Sequence, residues 1–134
     1  MPRYMLDTDI CSFVMKRRHP TLLRRLGELP TEDVCASVVT KAELLYGVAV
    51  SPNPVRDGAA LDALLRHLAV AELDEDTAAH YADIRADLKR RGELIGANDL
   101  FIAAHARRLG LVLVTANVRE FSRVERLEIE NWTA

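Results

Sequence analysis

The sequence is short of most features that mark a specialised class of protein. Its 134 residues include two cysteines, Cys11 and Cys35, which share no metal-ligand spacing. Two such thiols make no disulfide framework, so a reducing cytoplasm is the expected compartment. Neither sign of charge dominates, with 18 Lys and Arg against 20 Asp and Glu, a net charge of −2. An overall field that gathers polyanions is thereby excluded, although a local basic patch is not. Six glycines and five prolines are too few for collagen or a low-complexity chain. Aromatic residues make up 5% and are scattered from Tyr4 to Trp132, too thinly for a base-stacking platform. No apolar run nears the roughly 20 residues that span a bilayer. The opening Met1–Asp7 meets an acid too early for a signal peptide. What is present is ordinary: 49% hydrophobic and 28% charged residues, in a length that suits one folding unit from Met1 to Ala134.

Short apolar runs alternate with amphipathic stretches. Tyr4-Met5-Leu6 reads as a strand ended by Asp7, with Thr8 or Asp9 capping a helix from about Ile10. A helix over Pro20–Leu26 stops at Gly27, and Val34-Cys35-Ala36 reads as a second strand before a helix carrying Glu43 and Leu44. Ser51-Pro52-Asn53-Pro54 is the clearest loop. Leu61, Leu64, Leu65 and Leu68 then recur at helical spacing, and Val70 to Leu73 suggests a third strand. The stretch from Asp76 to Arg91 reads as a helix with Ala79, Ala82, Ile84 and Leu88 inward, and Asn98 to Leu109 as another, ended by Gly110. Leu111–Val114 is continuously apolar, as in a strand buried on both faces, and a last strand is expected near Leu127–Ile129. The pattern predicts a three-layer α/β/α sandwich with a mostly parallel central sheet.

Ligands of such sheets sit beyond the carboxyl ends of the strands. The polar residues due there are Asp7-Thr8-Asp9, Glu43, Asn98-Asp99, Thr115-Ala116-Asn117 and Glu120. Carboxylates gathered at an apolar rim repel one another and call for protons or a cation between them. An oxygen-only set favours a hard ion, Mg²⁺ or Mn²⁺, over zinc. Such an ion suits phosphodiester hydrolysis. Each residue also has a plainer role open to it. Asp9 or Asp7 can cap a helix, Thr40-Lys41-Ala42-Glu43 fits a capping box, Asn98-Asp99 fits a helix start and Asn117 a turn.

Taken together, four stretches resemble the motifs of PIN-domain nucleases. They are Tyr4–Ile10, Ser37–Gly47 around Glu43, Ile95–Ala106 around Asp99, and Leu113–Phe121. In length and wording they are most similar to the VapC toxins of type II toxin–antitoxin modules. The resemblance implies a Mg²⁺- or Mn²⁺-dependent endoribonuclease with Asp7, Glu43 and Asp99 as metal-binding acids, Asp7 and Asp99 directly. It implies Thr115 as a hydroxyl orienting the attacking water. Asn117 stands where many relatives carry Asp and brings no charge, with Glu120 compensating through a water. It further implies an RNA substrate, homodimers and a VapB-type antitoxin that supplies any DNA binding.

Lys16-Arg17-Arg18, Lys89-Arg90-Arg91 and Arg107-Arg108 fall at helix C-termini, where cations complement the helix dipole and phosphate contact is the lesser role. The four histidines, His19, His67, His80 and His105, show no acid–base constellation, and His105 reads as a helix residue. Two other readings start from the same acids. Asp7-Thr8-Asp9 resembles the Asp-x-Asp of aspartate-nucleophile phosphatases, although no Lys stands beside Thr115. A partner-binding PIN module weakened by Asn117 is the other.

Overall fold

Alternation in the sequence becomes alternation of strands and helices. The computed structural model describes residues 1–134. In chain order it forms β1 (Tyr4–Leu6), α1 (Thr8–Met15), α2 (Pro20–Gly27), a 3-10 turn (Thr31–Asp33) and β2 (Val34–Ser37). Next come α3 (Val38–Ala49), α4 (Pro54–Leu65), β3 (Ala69–Ala71), α5 (Glu75–Arg90) and α6 (Ala97–Leu109). β4 (Val112–Val114), α7 (Val118–Phe121) and β5 (Ile129–Glu130) complete it. The strands lie in the order β3-β2-β1-β4-β5, and every pairing is parallel. Helices cover both faces, giving the α/β/α sandwich that the sequence pattern predicts.

Residue alternation along the strands divides the core in two. Tyr4, Leu6, Val34, Ala36 and Val114 face a cluster with α1, α2 and α4, while Met5, Cys35 and Leu113 face one with α5 and α6. Both sets are almost wholly buried, which is why the strands read as unbroken apolar runs. Truncating a residue such as Leu113 to Ala costs about 2–5 kcal/mol. Gly110 adopts φ +68 and lets Leu111 N–H bond back to Ala106 O at 3.0 Å, so α6 ends sharply and delivers the chain into β4.

Several local expectations shift. The third and fifth strands occupy Ala69–Ala71 and Ile129–Glu130, and α1 starts at Thr8 rather than near Ile10. α5 buries Thr77, Ile84 and Leu88, leaving Ala79 and Ala82 exposed. Alanine is small enough to sit on either face of a helix, so its spacing alone mis-set the phase. What matters for function is the sheet order. The chain winds from β1 through β2 to β3, then returns to the far side of β1 for β4. The carboxyl ends of β1 and β4 are therefore adjacent while their connections leave in opposite directions, opening a crevice there.

Candidate functional site

Asp7 is the first residue beyond β1, and it holds the crevice floor. Its N–H donates to Val114 O at 2.9 Å, continuing the ladder to β4. Its side chain, not that of Thr8 or Asp9, caps α1, with Oδ1 accepting from Thr8 N–H at 2.8 Å. Oδ2 accepts from the Thr115 hydroxyl at 2.8 Å, and Thr115 Oγ1 in turn accepts from Asn117 N–H at 2.9 Å. Thr115 is fully buried and its proton is committed to Asp7. The hydroxyl thus holds one oxygen of a crevice carboxylate in place.

Glu43 reaches the same crevice from α3. The N-cap of that helix is Ser37, whose Oγ accepts from Val39 N–H at 3.1 Å. The capping box open to Thr40 and Glu43 is therefore not formed, because Glu43 lies a turn too far into the helix. Its Oε1 instead accepts from the Thr8 hydroxyl at 2.6 Å, and Thr8 Oγ1 lies 3.1 Å from Thr40 Oγ1. Asp99 sits in the first turn of α6 behind Gly96, half-buried and without any hydrogen bond or ion pair. Asn117 precedes α7 without capping it, and its Nδ2 donates to Glu120 Oε2 at 3.0 Å.

The electrostatics join these groups into one site. Burial, then the charge of Asp9, lifts Asp7 from 3.8 to about 7 against the pull of its Thr115 and Thr8 hydrogen bonds, and Asp99 adds to the rise. Burial, then the charges of Glu43, Glu120 and Asp9, lift Asp99 to about 6. Burial also raises Asp9. Asp7, Asp99, Glu43 and Glu120 are thus linked through one another's charge, with Thr115 bonded to Asp7 and Asn117 to Glu120. The sequence places Asp9 among the polar residues due at this edge but not among the metal-binding acids, with a helix cap as its plainer role. In the structure it is a fifth carboxylate of the crevice, with Oδ2 accepting from Ala116 N–H at 3.2 Å.

None of the five carboxylates has a Lys or Arg partner, although ten ion pairs are formed elsewhere. The buried Oδ1 of Asp9 has no hydrogen-bond partner at all. An unpaired carboxylate oxygen in such a place is costly unless a cation meets it. No three acids are drawn together closely enough to hold an ion by themselves; a hard ion such as Mg²⁺ keeps several waters and needs only one or two carboxylates directly. The donor set fits a hard divalent cation.

Two of the three basic clusters are paired with acids on α5 and at its cap. Arg91 pairs with Asp87, Arg107 with Asp83, and Arg108 with Asp74 and Asp76. No helix is long and apolar enough to cross a membrane.

Comparison with known proteins agrees with this geometry. The PIN domain model matches residues 4–127. The Haemophilus influenzae protein named Ribonuclease VapC2 is 45% identical over 132 residues, 98% of this chain and 99% of that one. The tRNA(fMet)-specific endonuclease VapC of Shigella flexneri is 41% identical over 133 residues, 99% of this chain and all of that one. The structure of DNA-bound VapBC from Salmonella typhimurium superposes with a TM-score of 0.93 at 39% identity, covering 98% and 99% of the two chains. With the family model matching residues 4–127 and full-length relatives at 41–45% identity, the chain belongs to the PIN-domain family, among the VapC ribonucleases.

Proposed function

We propose that this chain is the toxin of a type II toxin–antitoxin pair and acts as a Mg²⁺- or Mn²⁺-dependent endoribonuclease at the crevice. The observation that carries the reading is five carboxylates, free of any cationic side chain, at the switch point of a parallel sheet. Asp7 and Asp99 are the direct holders of the ion, and Glu43 and Asp9 act through water or as further ligands. When bound, the ion supplies Lewis acidity toward a phosphate oxygen and toward water.

The chain's own residues do the rest. Thr8 N–H and Thr115 Oγ1–H fix the two oxygens of Asp7. With both oxygens already accepting, Asp7 is a poor nucleophile toward phosphorus, which favours water over a phosphoaspartate. Thr8 ties Glu43 to the floor of the site, and Asn117 holds Glu120 beside it, where that carboxylate can hold a water. Repulsion among the acids keeps Asp7 and Asp99 avid for positive charge.

The relatives extend the reading to partners. A VapB-type antitoxin is the inhibitory partner and supplies contact with DNA. The exposed apolar residues Leu45, Tyr46, Val50 and Val55 at the α3–α4 corner suit the expected homodimer. The specificity in the Shigella relative's name makes tRNA(fMet) the first RNA to assay. The deciding experiment is cleavage of that RNA with Mg²⁺ or Mn²⁺, with EDTA, and with Asp99→Asn. Cleavage is expected to vanish in chelator and to fall by orders of magnitude in the variant. Cleavage that persists undiminished in chelator overturns the metal-dependent reading.

A further inference from the structure

One buried titratable group plays no part in this scheme. His105 on α6 is 1% exposed, and both ring nitrogens are bonded. Nε2 lies 3.1 Å from Glu72 O, just beyond β3, and Nδ1 lies 2.8 Å from Ser37 Oγ. A carbonyl oxygen can only accept, so Nε2 carries the proton and Nδ1 of the neutral ring accepts from the Ser37 hydroxyl. Ser37 Oγ in turn accepts from Val39 N–H and caps α3. The result is an unbroken relay from Glu72 O through His105 and Ser37 to the first turn of α3.

The pair looks like a nucleophile and its base, but its surroundings exclude that role. Ser37 is wholly buried, His105 nearly so, and the third partner is a neutral carbonyl. No substrate reaches either atom. The elements that the relay joins are more telling. α6 carries Asp99 in its first turn, α3 carries Glu43, and the charge of Glu43 is felt at Asp99. Packing alone leaves two helices free to slide by fractions of an ångström, whereas a bonded imidazole between them fixes one spacing.

We propose that His105, through its acceptor Nδ1 on the Ser37 hydroxyl, is a positioning residue that sets the separation of Asp99 from Glu43. The assignment rests on the reading of the crevice as the nuclease site. Burial pulls His105 below its ordinary value and keeps the ring neutral. The hydrogen bond to Glu72 O and the charge of Asp74 draw the other way without outweighing burial. Protonation would strand the Ser37 hydroxyl hydrogen in a dry site.

The two arms of the imidazole can be separated by substitution. Asn at 105 places Oδ1 where Nδ1 stood and keeps an acceptor for Ser37. Gln keeps only a donor toward Glu72, and Leu keeps neither. In the full-length chain, His105→Leu, His105→Gln and Ser37→Ala are expected to lose about tenfold or more in kcat for RNA cleavage. KM should stay within about twofold, and His105→Asn should recover most of the loss. Hydrogen exchange supplies a readout that does not depend on activity: Val39 N–H and Leu100 N–H should lose protection together in His105→Leu and regain it in His105→Asn. If His105→Leu keeps wild-type kcat, or if kcat follows melting temperature alone across all four variants, the proposal is overturned. If the wild-type chain cleaves no RNA, the nuclease reading fails instead. Joint loss of the two amide protections then still upholds the link between helices, and their independence refutes it.

Discussion

On the outer face of α5, Asp83 and Asp87 each meet an arginine, and Asp74 at the cap of that helix meets Thr77 and Arg108. At the carboxyl edge of the sheet, Asp7, Asp9 and Asp99 meet one another. The outer group is held below the ordinary carboxylate range, by the Arg107 hydrogen bond at Asp83, the Arg91 hydrogen bond at Asp87 and the Thr77 hydrogen bond at Asp74. Burial pushes all three inner acids above it, and neighbouring charge adds to the rise of Asp7 and Asp99. One fold thus treats the same residue type in opposite ways. The outer acids are neutralised by the chain itself, and the inner acids are left for something the chain does not contain. Abundance of carboxylates therefore says little about function, whereas carboxylates deprived of cations at a switch point say a great deal.

The largest way to test that contrast is to remove one acid from each group. Asp7→Asn is expected to lower RNA cleavage by about a thousandfold, the several kcal/mol that a misplaced metal represents. Asp87→Asn, which breaks an exposed pair with Arg91, should leave cleavage unchanged and move the melting temperature by no more than about two degrees. Equal losses in both would mean that the two groups do not differ in kind.

Stability in the absence of divalent ions gives the next effect, with a definite sign. Asp7 titrates near 3.8 when unfolded and near 7 when folded, so the folded chain holds a proton that the unfolded chain has released. That favours the fold below about pH 4, and the advantage is lost as pH rises through 7. Asp99 behaves alike up to about 6. In EDTA, Asp7→Asn should therefore match the wild type at pH 4 and exceed it at pH 8, by on the order of a few kcal/mol. Urea unfolding at the two values measures this. Asp87 has the reverse linkage, so its contribution is present above the unfolded carboxyl range and lost on acidification. Adding Mn²⁺ at pH 8 should raise the melting temperature of the wild type and not of Asp7→Asn.

Much of this is legible in the sequence. Continuous apolar runs in a chain with helices between them specify a parallel sheet, and the acids after Leu6 and in Asn98-Asp99 lie where that sheet opens. Other parts were hidden for physical reasons. The partner of Glu43 is Thr8, 35 positions earlier, so no local pattern could separate its role from a capping box. The burial of Thr115 and its bond to Asp7, 108 positions earlier, are likewise invisible in a local pattern. Ala79 and Ala82 mis-set the phase of α5 because alanine carries too little apolar surface to declare a side. The orphaned oxygen of Asp9 exists only once Ala116 N–H has taken the other one.

Removing the Thr115 hydroxyl sharpens the comparison from within the site. Its hydrogen bond is what partly restrains the rise of Asp7. Thr115→Val keeps the shape and deletes the donor, so Asp7 should become still harder to ionise. Cleavage is expected to fall about tenfold, and the acidic limb of its pH profile should move upward. A profile that keeps its position would mean that Thr115 serves packing alone.

The smallest effect belongs to Asn117, and its sign is informative. Its Nδ2 donates to Glu120 Oε2, so Asn117→Asp replaces a hydrogen bond with two facing carboxylates. Without ions this should lower the melting temperature at pH 8 by about three degrees, roughly 1 kcal/mol in a domain of this size. At pH 4 or below, where carboxyl groups protonate, the difference should close. Mn²⁺ should close it at pH 8 as well if the new charge joins the inner group. Cleavage should change by no more than about threefold, because Asn117 reaches Asp7 only through its backbone N–H on Thr115. An increase of tenfold or more would show that the missing fourth-motif charge limits this nuclease. An ion-insensitive loss of stability would place position 117 with the outer acids, as a surface group whose charge the site does not use.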